Sequence, residues 1–329
     1  MFLGVYNGTV WVAVMQRDHR VSRLKLHELR VLLAVTQAGS MSRAAARLAI
    51  SEPAVSRAIS DMERTLGVSL FDRSVRGVEP TQYGRALVKR GVAVFDELRL
   101  GIREIEFIKD PTIGDVHVGV SSTIAEVGIV AGVIHHMSRR YPRVNFHIIE
   151  STPDRLLREL QERNLDLIIL LTFDPLVGKN VVSEMLYEDR MVVVAAANNP
   201  WTRRHRIELA DLVNEHWTLP EPGHPVASMV AKAFRAIGCE GPRVTATVAP
   251  GRTRDTLLAT GRFLTVAPES ALHFGAMLSS LKVLPVEPFM GGGTTNIMTL
   301  KNQALSPAAQ LLVEHLREAA EPLTKIAAE

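Results

Sequence analysis

The sequence predicts a chain in three parts: a mainly α N-terminal winged helix-turn-helix, one long linker helix, and a C-terminal two-lobed α/β domain. Two short runs of helical apolar spacing between Ser40 and Gly67 are joined by a tight turn and followed by a basic strand-turn-strand. A proline-free apolar stripe then runs from Thr81 to about Lys109. From Asp115 onward strand and helix patterns alternate, the signature of a sheet covered by helices. A length of 329 residues suits two or three domains rather than one core.

Residues 1–24 read as an N-terminal extension, disordered or strand-like. The opening MFLGVYNGTVWVAVM is apolar, but it lacks a basic start and is followed by Gln-Arg-Asp-His-Arg instead of a cleavage site. It matches neither a signal peptide nor an anchor; translation from nearer Met15 is the other reading.

Residues 25–84 carry the winged helix-turn-helix. Leu26–Gln37 is the first helix, with Leu29, Leu32 and Leu33 inward and Gly39 ending it. Met41, Ala44, Ala45 and Leu48 repeat at helical spacing, as do Val55, Ala58, Ile59, Met62 and Leu66 in the next helix. Ser51 occupies an N-cap position and Pro53 the first turn, where its missing N–H costs nothing. Opposite the second stripe lie Glu52, Pro53, Ser56, Arg57, Ser60 and Arg64, with Ser42 and Arg43 on the helix before. Short hydroxyls and cations are the groups that reach phosphates and base edges. Ser42, Ser51, Ser56, Arg57 and Arg73 are expected to position the domain on phosphates. Glu52, Pro53 and Arg57 are best placed for base edges in a major groove. Val68 to Thr81 reads as a strand, a basic Arg-Gly tip and a return strand, setting Arg73 and Arg76 beside the helix, Arg76 toward the minor groove.

These residues also carry a resemblance. The stretch LRVLLAVTQAGSMSRAAARLAISEPAVSRAISDMERTLGVSLFDRS and the following VEPTQYG resemble the DNA-binding domain of LysR-type transcriptional regulators (the LTTR family). The match spans nearly sixty residues and several joined motifs. It implies double-stranded DNA as partner, an inverted-repeat operator, a homodimer or homotetramer, and a small-molecule effector. One position departs: Glu52 stands where the family usually has Gln. A carboxylate repels phosphate but can accept from a cytosine amino group.

The helix expected over residues 81–110 repeats Leu87, Val94, Leu98, Ile102 and Ile105 at three- and four-residue steps. That stripe is longer than the small domain can bury, so a second copy's helix is the economical partner. Asp110-Pro111 ends it, and the resemblance extends through it.

The effector-binding domain is expected at 115–325, with lobe I at 115–172 and 270–325 and lobe II at 175–268. Strands at Val116–Val120, Val144–Glu150 and Leu165–Leu171 alternate with helices at Ile124–Arg140 and Pro153–Asn164. This order predicts a parallel sheet with helices on both faces. A similar unit begins at Met191–Ala197, with crossovers near Thr172–Pro175 and Pro268–Ala271. The two lobes match a periplasmic-binding-protein-like architecture and, more loosely than the first half, the family's effector domain. Ligands in such sheets sit at strand C-termini near the switch in strand order. Those ends give Ser121, Ser122, Thr152, Thr172, Phe173, Pro222, Thr265 and Pro268 as effector-binding candidates. Hydroxyls and free N–H groups suit a carboxylate; an aromatic or a sugar fits as well.

Lys and Arg outnumber Asp and Glu by 14 to 7 in residues 1–90, and trail by 24 to 28 in the rest. Cation excess in the helix-turn-helix half is what a polyanion requires. The sole cysteine, Cys239, precludes an intrachain disulfide and suits a reducing, cytoplasmic setting. No apolar run approaches the roughly 20 residues needed to span a membrane.

No catalytic residues, cofactor or metal are expected. Gly119-Val-Ser-Ser-Thr lacks a nucleophile elbow's second glycine, and Gly291-Gly292-Gly293 lacks a phosphate loop's Lys. His117 and His147 on neighbouring strands are a weak metal pair. The alternatives are a small-molecule-binding α/β protein, which gives no reason for a helix-turn-helix, and an enzyme fused to a DNA-binding domain, which needs a catalytic constellation.

Overall fold

The computed structural model describes residues 19–74, 77–173, 180–274, 281–287, 291–301 and 303–326. The chain divides into two compact units, Met1–Gly101 and Ile102–Glu329, so the division falls inside the long helix.

In the first unit, α1 (His19–Arg23), α2 (Leu26–Ala38), α3 (Met41–Leu48) and α4 (Glu52–Leu66) precede an antiparallel hairpin. The hairpin pairs β1 (Phe71–Ser74) with β2 (Gly77–Pro80), and α5 (Gln82–Lys109) follows. Residues 19–23 are thus helical, not part of a disordered extension; residues 1–18 lie outside the described residues, as does Arg76 at the wing tip. Val31, Leu32, Val35, Ala44, Val55, Ile59 and Met62 form the core, each stripe facing it as its spacing requires. Glu28 Oε2 accepts the Lys25 N–H at 3.0 Å and so closes the start of α2.

Between α3 and α4 the turn is made by Ala49 at φ +54°. A left-handed alanine costs about 1–2 kcal/mol, and the apolar contacts on either side hold it there. The start of α5 is fastened to the end of α4's loop. Thr81 N–H donates to the Leu70 carbonyl at 2.9 Å, and Thr81 Oγ1 donates to Ser69 O at 2.8 Å. Gly84 lies so close that a Cβ there would press on the Leu70 carbonyl, which is why the chain carries glycine at this point.

Among the described residues, the second unit is built on one sheet of nine strands. Its path runs β4 (Arg143–Ser151), β3 (Ile113–Ser121), β5 (Leu167–Thr172), β13 (Gly292–Leu300), β6 (Val181–Ala196), β10 (Phe263–Pro268), β8 (His216–Leu219), β9 (Val244–Thr247), with β11 (Leu281–Val283) also on β6. The two-residue strands β7 (Ile207–Glu208) and β12 (Val286–Glu287) pair separately. The parallel expectation holds for β3 with β4 and β5, and for β8 with β9 and β10. It fails in the middle, where β13 and β6 are antiparallel to their neighbours and to each other. The reason is a long strand the sequence reading halved. β6 pairs with β13 over Val181–Arg190 and with β10 over Met191–Ala195, so one strand serves both lobes.

The first passage between lobes therefore occurs at Arg190–Met191 within β6; residues 174 and 175 of the expected Thr172–Pro175 crossover lie outside the described residues. The return runs alongside, with Glu269 N–H on the Arg190 carbonyl at 2.8 Å and Met191 N–H on the Gly291 carbonyl at 2.9 Å. The helix expected over Ile124–Arg140 is two: α6 (Ser122–Val127) and α7 (Ile129–Arg140), parted by Gly128 at φ +80°. The remaining helices are α8 (Pro153–Gln161), α9 (Pro225–Ala236), α10 (Arg252–Ala259), α11 (Ala271–Phe274) and α12 (Pro307–Ile326). β5 is buried on both faces. Leu167, Ile169 and Leu171 join one core layer, and Ile168 and Leu170 the other with Leu156 and Leu160 of α8.

Candidate nucleic-acid interface and ligand cleft

The outer face of α4 is polar for a packing reason. Val55, Ala58, Ile59 and Met62 take the inward positions, leaving Glu52, Pro53 and Arg57 exposed and Ser56 half-buried. Ser42 and Arg43 are exposed on α3, and Ser51 is exposed just before α4. Ser51 has the backbone of an N-cap, but its side chain makes no capping bond. The expected N-cap position is therefore occupied while the exposed hydroxyl stays uncommitted to the helix; Pro53 has no N–H, and the Ala54 and Val55 N–H groups donate to the Ser51 carbonyl at 3.0 and 3.2 Å. Arg57 has no carboxylate partner among the described residues, whereas Arg64 is engaged by Asp61 at 3.0 Å. Glu63 braces the helix from behind, accepting the Leu70 N–H at 2.7 Å. Arg73 is placed on β1 opposite Val78 of β2.

The apolar stripe of α5 splits in two. Leu87, Val88 and Phe95 pack into the core of their own domain. Leu87, expected to face a second copy, is therefore spent internally because Gly91 lets α5 lie against Leu29 and Leu33 of α2. Val94, Leu98, Ile102 and Ile105 are exposed, Leu98 at 44% and Ile102 at 57%. In the second unit, Arg103 Nη1 lies 3.4 Å from Asp166 Oδ1, and Arg143 pairs with Asp110, so the last turns of α5 are anchored to the sheet.

The ligand candidates fall in two sets. Ser121, Ser122, Thr152, Thr172 and Phe173 share the edge formed by the C-termini of β3, β4 and β5, Ser121 lying in register with Ser151. Pro222, Thr265 and Pro268 belong to the other lobe. Ser121 Oγ is buried without a hydrogen-bond partner among the described residues. Thr172 Oγ1 accepts from Asn296 Nδ2 at 2.9 Å and sits 3.2 Å from Thr294 Oγ1. Thr265 is a correction: at 1% exposure its hydroxyl donates to the Thr218 carbonyl at 2.7 Å, so it links strands and is not offered to a ligand. Thr152 is exposed and makes no capping bond. Pro222 is exposed and Pro268 buried at the end of β10.

Sequence reasoning missed three buried polar groups. Asn296 follows Thr294 and Thr295 in the polar first half of β13, ahead of Ile297 and Met298, and nothing in that pattern marks it as buried. Asp189, near the point where β6 changes partners, accepts the Ser270 N–H at 3.2 Å and the Ser270 hydroxyl. Burial pushes its carboxyl up to about 6 against those bonds. Glu126 on α6 meets Arg254 on α10 at 2.6 Å, both buried; burial raises Glu126 to about 7 although the guanidinium opposes it. His117 and His147 stack face to face at 4.4 Å, which does not turn their nitrogens toward one point.

No helix among the described residues is long and apolar enough to cross a membrane. Residues 26–85 match the family model for a bacterial regulatory helix-turn-helix protein, lysR family, and residues 109–321 match that for the LysR substrate binding domain. The chain is 28% identical over 301 residues to the HTH-type transcriptional regulator GbpR of Azospirillum brasilense, covering 91% of this chain and 88% of the relative. It is 30% identical over 248 residues to a probable hydrogen peroxide-inducible genes activator of Streptomyces viridosporus, covering 75% and 78%. Among solved structures, a point variant of full-length OxyR from Pseudomonas aeruginosa superposes with a TM-score of 0.59 at 26% identity, covering 90% of this chain and 94% of that one. CbnR in complex with its target DNA shares the fold at a TM-score of 0.51 and 20% identity, covering 90% and 99%.

Proposed function

This chain belongs to the LysR family of transcriptional regulators, and on that premise we propose that α4 enters a DNA major groove with Arg57 as its principal contact. The observation that carries the reading is the exposed Arg57, without an ion-pair partner among the described residues, beyond the exposed Ser51 on a helix whose rotation the buried stripe fixes. Ser42, Arg43, Ser51 and Ser56 take phosphate oxygens beside it, Arg73 and Arg76 reach the flanking backbone and minor groove, and Glu52 and Pro53 meet base edges. Glu52 favours a cytosine amino group there.

Two copies pair along Val94, Leu98, Ile102 and Ile105, presenting two α4 helices to an inverted repeat in the cytoplasm. A small molecule binds at the C-terminal edge of β3, β4 and β5, using Ser121, Ser122, Thr172 and Phe173 against the opposite lobe. It shifts operator binding only as far as its affinities for two arrangements differ. The exposed apolar stripe and the Ser121 hydroxyl, without a partner among the described residues, support these two statements. Sensing through an intrachain disulfide is not available to a chain with one cysteine.

The test selects duplexes from a random library with the full chain, then measures fluorescence anisotropy on a selected duplex at about 0.15 M salt. Arg57→Ala should weaken binding by about 10- to 100-fold, since one base-edge or phosphate contact is worth about 1–3 kcal/mol. Unchanged affinity would remove Arg57 from the interface.

A further inference from the structure

We propose that lobe II carries a second ligand site, for a small organic anion with a flat apolar part, at the pole opposite the interlobe edge. A cavity of about 610 Å³ lies there, within the size range of small-molecule sites. It forms where Asn198–Arg204 follow β6, where Gly261 and Arg262 precede β10, and where Glu215 and His216 open β8. The parallel strands β8 and β10 begin at this end, while the interlobe candidates lie where they finish. The six residues of β10 set the two regions roughly 20 Å apart.

The lining is cationic. Arg204 and Arg262 are exposed at the cavity and have no carboxylate partner among the described residues. Arg262 Nη2 lies 2.9 Å from His216 Nε2, and His216 Nδ1 lies 2.9 Å from Thr245 Oγ1. A guanidinium can only donate, so His216 accepts at Nε2 and carries its proton on Nδ1. Burial, Arg262 and Arg243 hold its basicity down, with Glu215 the one charge opposing them. These groups face the ring from the starts of β8, β9 and β10, and Phe263 meets it edge-on. The mouth thus holds two arginines, Arg204 and Arg262, against one lining carboxylate, Glu215, and its net charge is positive.

The apolar wall is the indole of Trp201, half-buried and packed on the core. Asn199 fixes this wall to the cationic loop: its Oδ1 accepts the Trp201 N–H at 3.0 Å and its Nδ2 donates to the Gly261 carbonyl at 3.0 Å. Two guanidinium groups lining one cavity with a flat ring, on loops that Asn199 ties together, suit an aryl phosphate or aryl carboxylate. The bound anion would draw a proton onto His216.

Isothermal titration of the full chain with phenyl phosphate and with inorganic phosphate tests this. Phenyl phosphate should bind, inorganic phosphate more weakly, and Arg204→Gln with Arg262→Gln together should weaken phenyl phosphate by at least about tenfold. Side-chain imidazole NMR should show the His216 titration moving to higher pH with phenyl phosphate bound. Operator affinity without ligand should be the same in the double variant. Absence of binding by both anions at millimolar concentration, or unchanged affinity in the double variant, would overturn the site. Equal affinity for the two anions would overturn the role given to Trp201.

Discussion

Replacing Asp189 by asparagine should make the second unit more stable relative to the parent as pH rises. The carboxyl is 4% exposed beside the partner change in β6 and is pushed from 3.8 to about 6, chiefly by burial. A folded-state value above the unfolded one means the fold favours the neutral form. That preference is fully present below 3.8 and is lost as pH climbs through about 6, where ionisation forces a charge into the core. The displacement corresponds to roughly 3 kcal/mol at about 1.36 kcal/mol per tenfold. The amide does not titrate, and its side-chain oxygen can still accept the Ser270 N–H. The stability of Asp189→Asn minus that of the parent should therefore increase by roughly 3 kcal/mol between about pH 4 and 7, or about 6–12 °C in Tm for a unit of this size. Urea unfolding of the full chain at intervals of pH, followed by tryptophan emission, measures it. A difference that stays flat across this range would refute burial as the cause, and one that falls would reverse the sign.

Other expectations concern the first unit and its helix. Gly84→Ala should cost about 1–3 kcal/mol, read by thermal unfolding, because the new methyl must displace the Leu70 carbonyl that also holds Thr81. Leu98→Lys with Ile105→Lys should weaken self-association by at least about a hundredfold in sedimentation equilibrium while leaving the fold intact. Each side chain removed gives up about 1.5–3 kcal/mol of burial in a paired helix and none in a single chain.

Much of the first unit was legible because its information is local. Helical spacing, the glycine stop at Gly39 and the proline at Pro53 each act within a few residues, and the structure places α2, α3 and α4 where those signals fall. The central sheet was less legible. Val181–Arg190, read Val-Val-Ser-Glu-Met-Leu-Tyr-Glu-Asp-Arg, lacks the strict apolar–polar alternation of a half-buried strand, and its partner β13 lies about a hundred residues away, so nothing nearby announces the pairing. Thr265 shows the matching difficulty at a site: whether a strand-end hydroxyl points to a cleft or to its neighbour's carbonyl depends on the pleat, and one residue of register decides it. Leu87 and Leu98 share a stripe, but only the position of α2 tells which of them is already occupied.

A β6 common to both lobes behaves as a leaf spring rather than a door hinge. Nine residues of its Val181–Arg190 half pair with β13 and the next five with β10, so the halves can twist about it but cannot swing apart without breaking backbone hydrogen bonds on one side. Melting either half strips the other of a central strand, which makes the pair a single cooperative body. A molecule clasped anywhere on that body should protect all of it from heat.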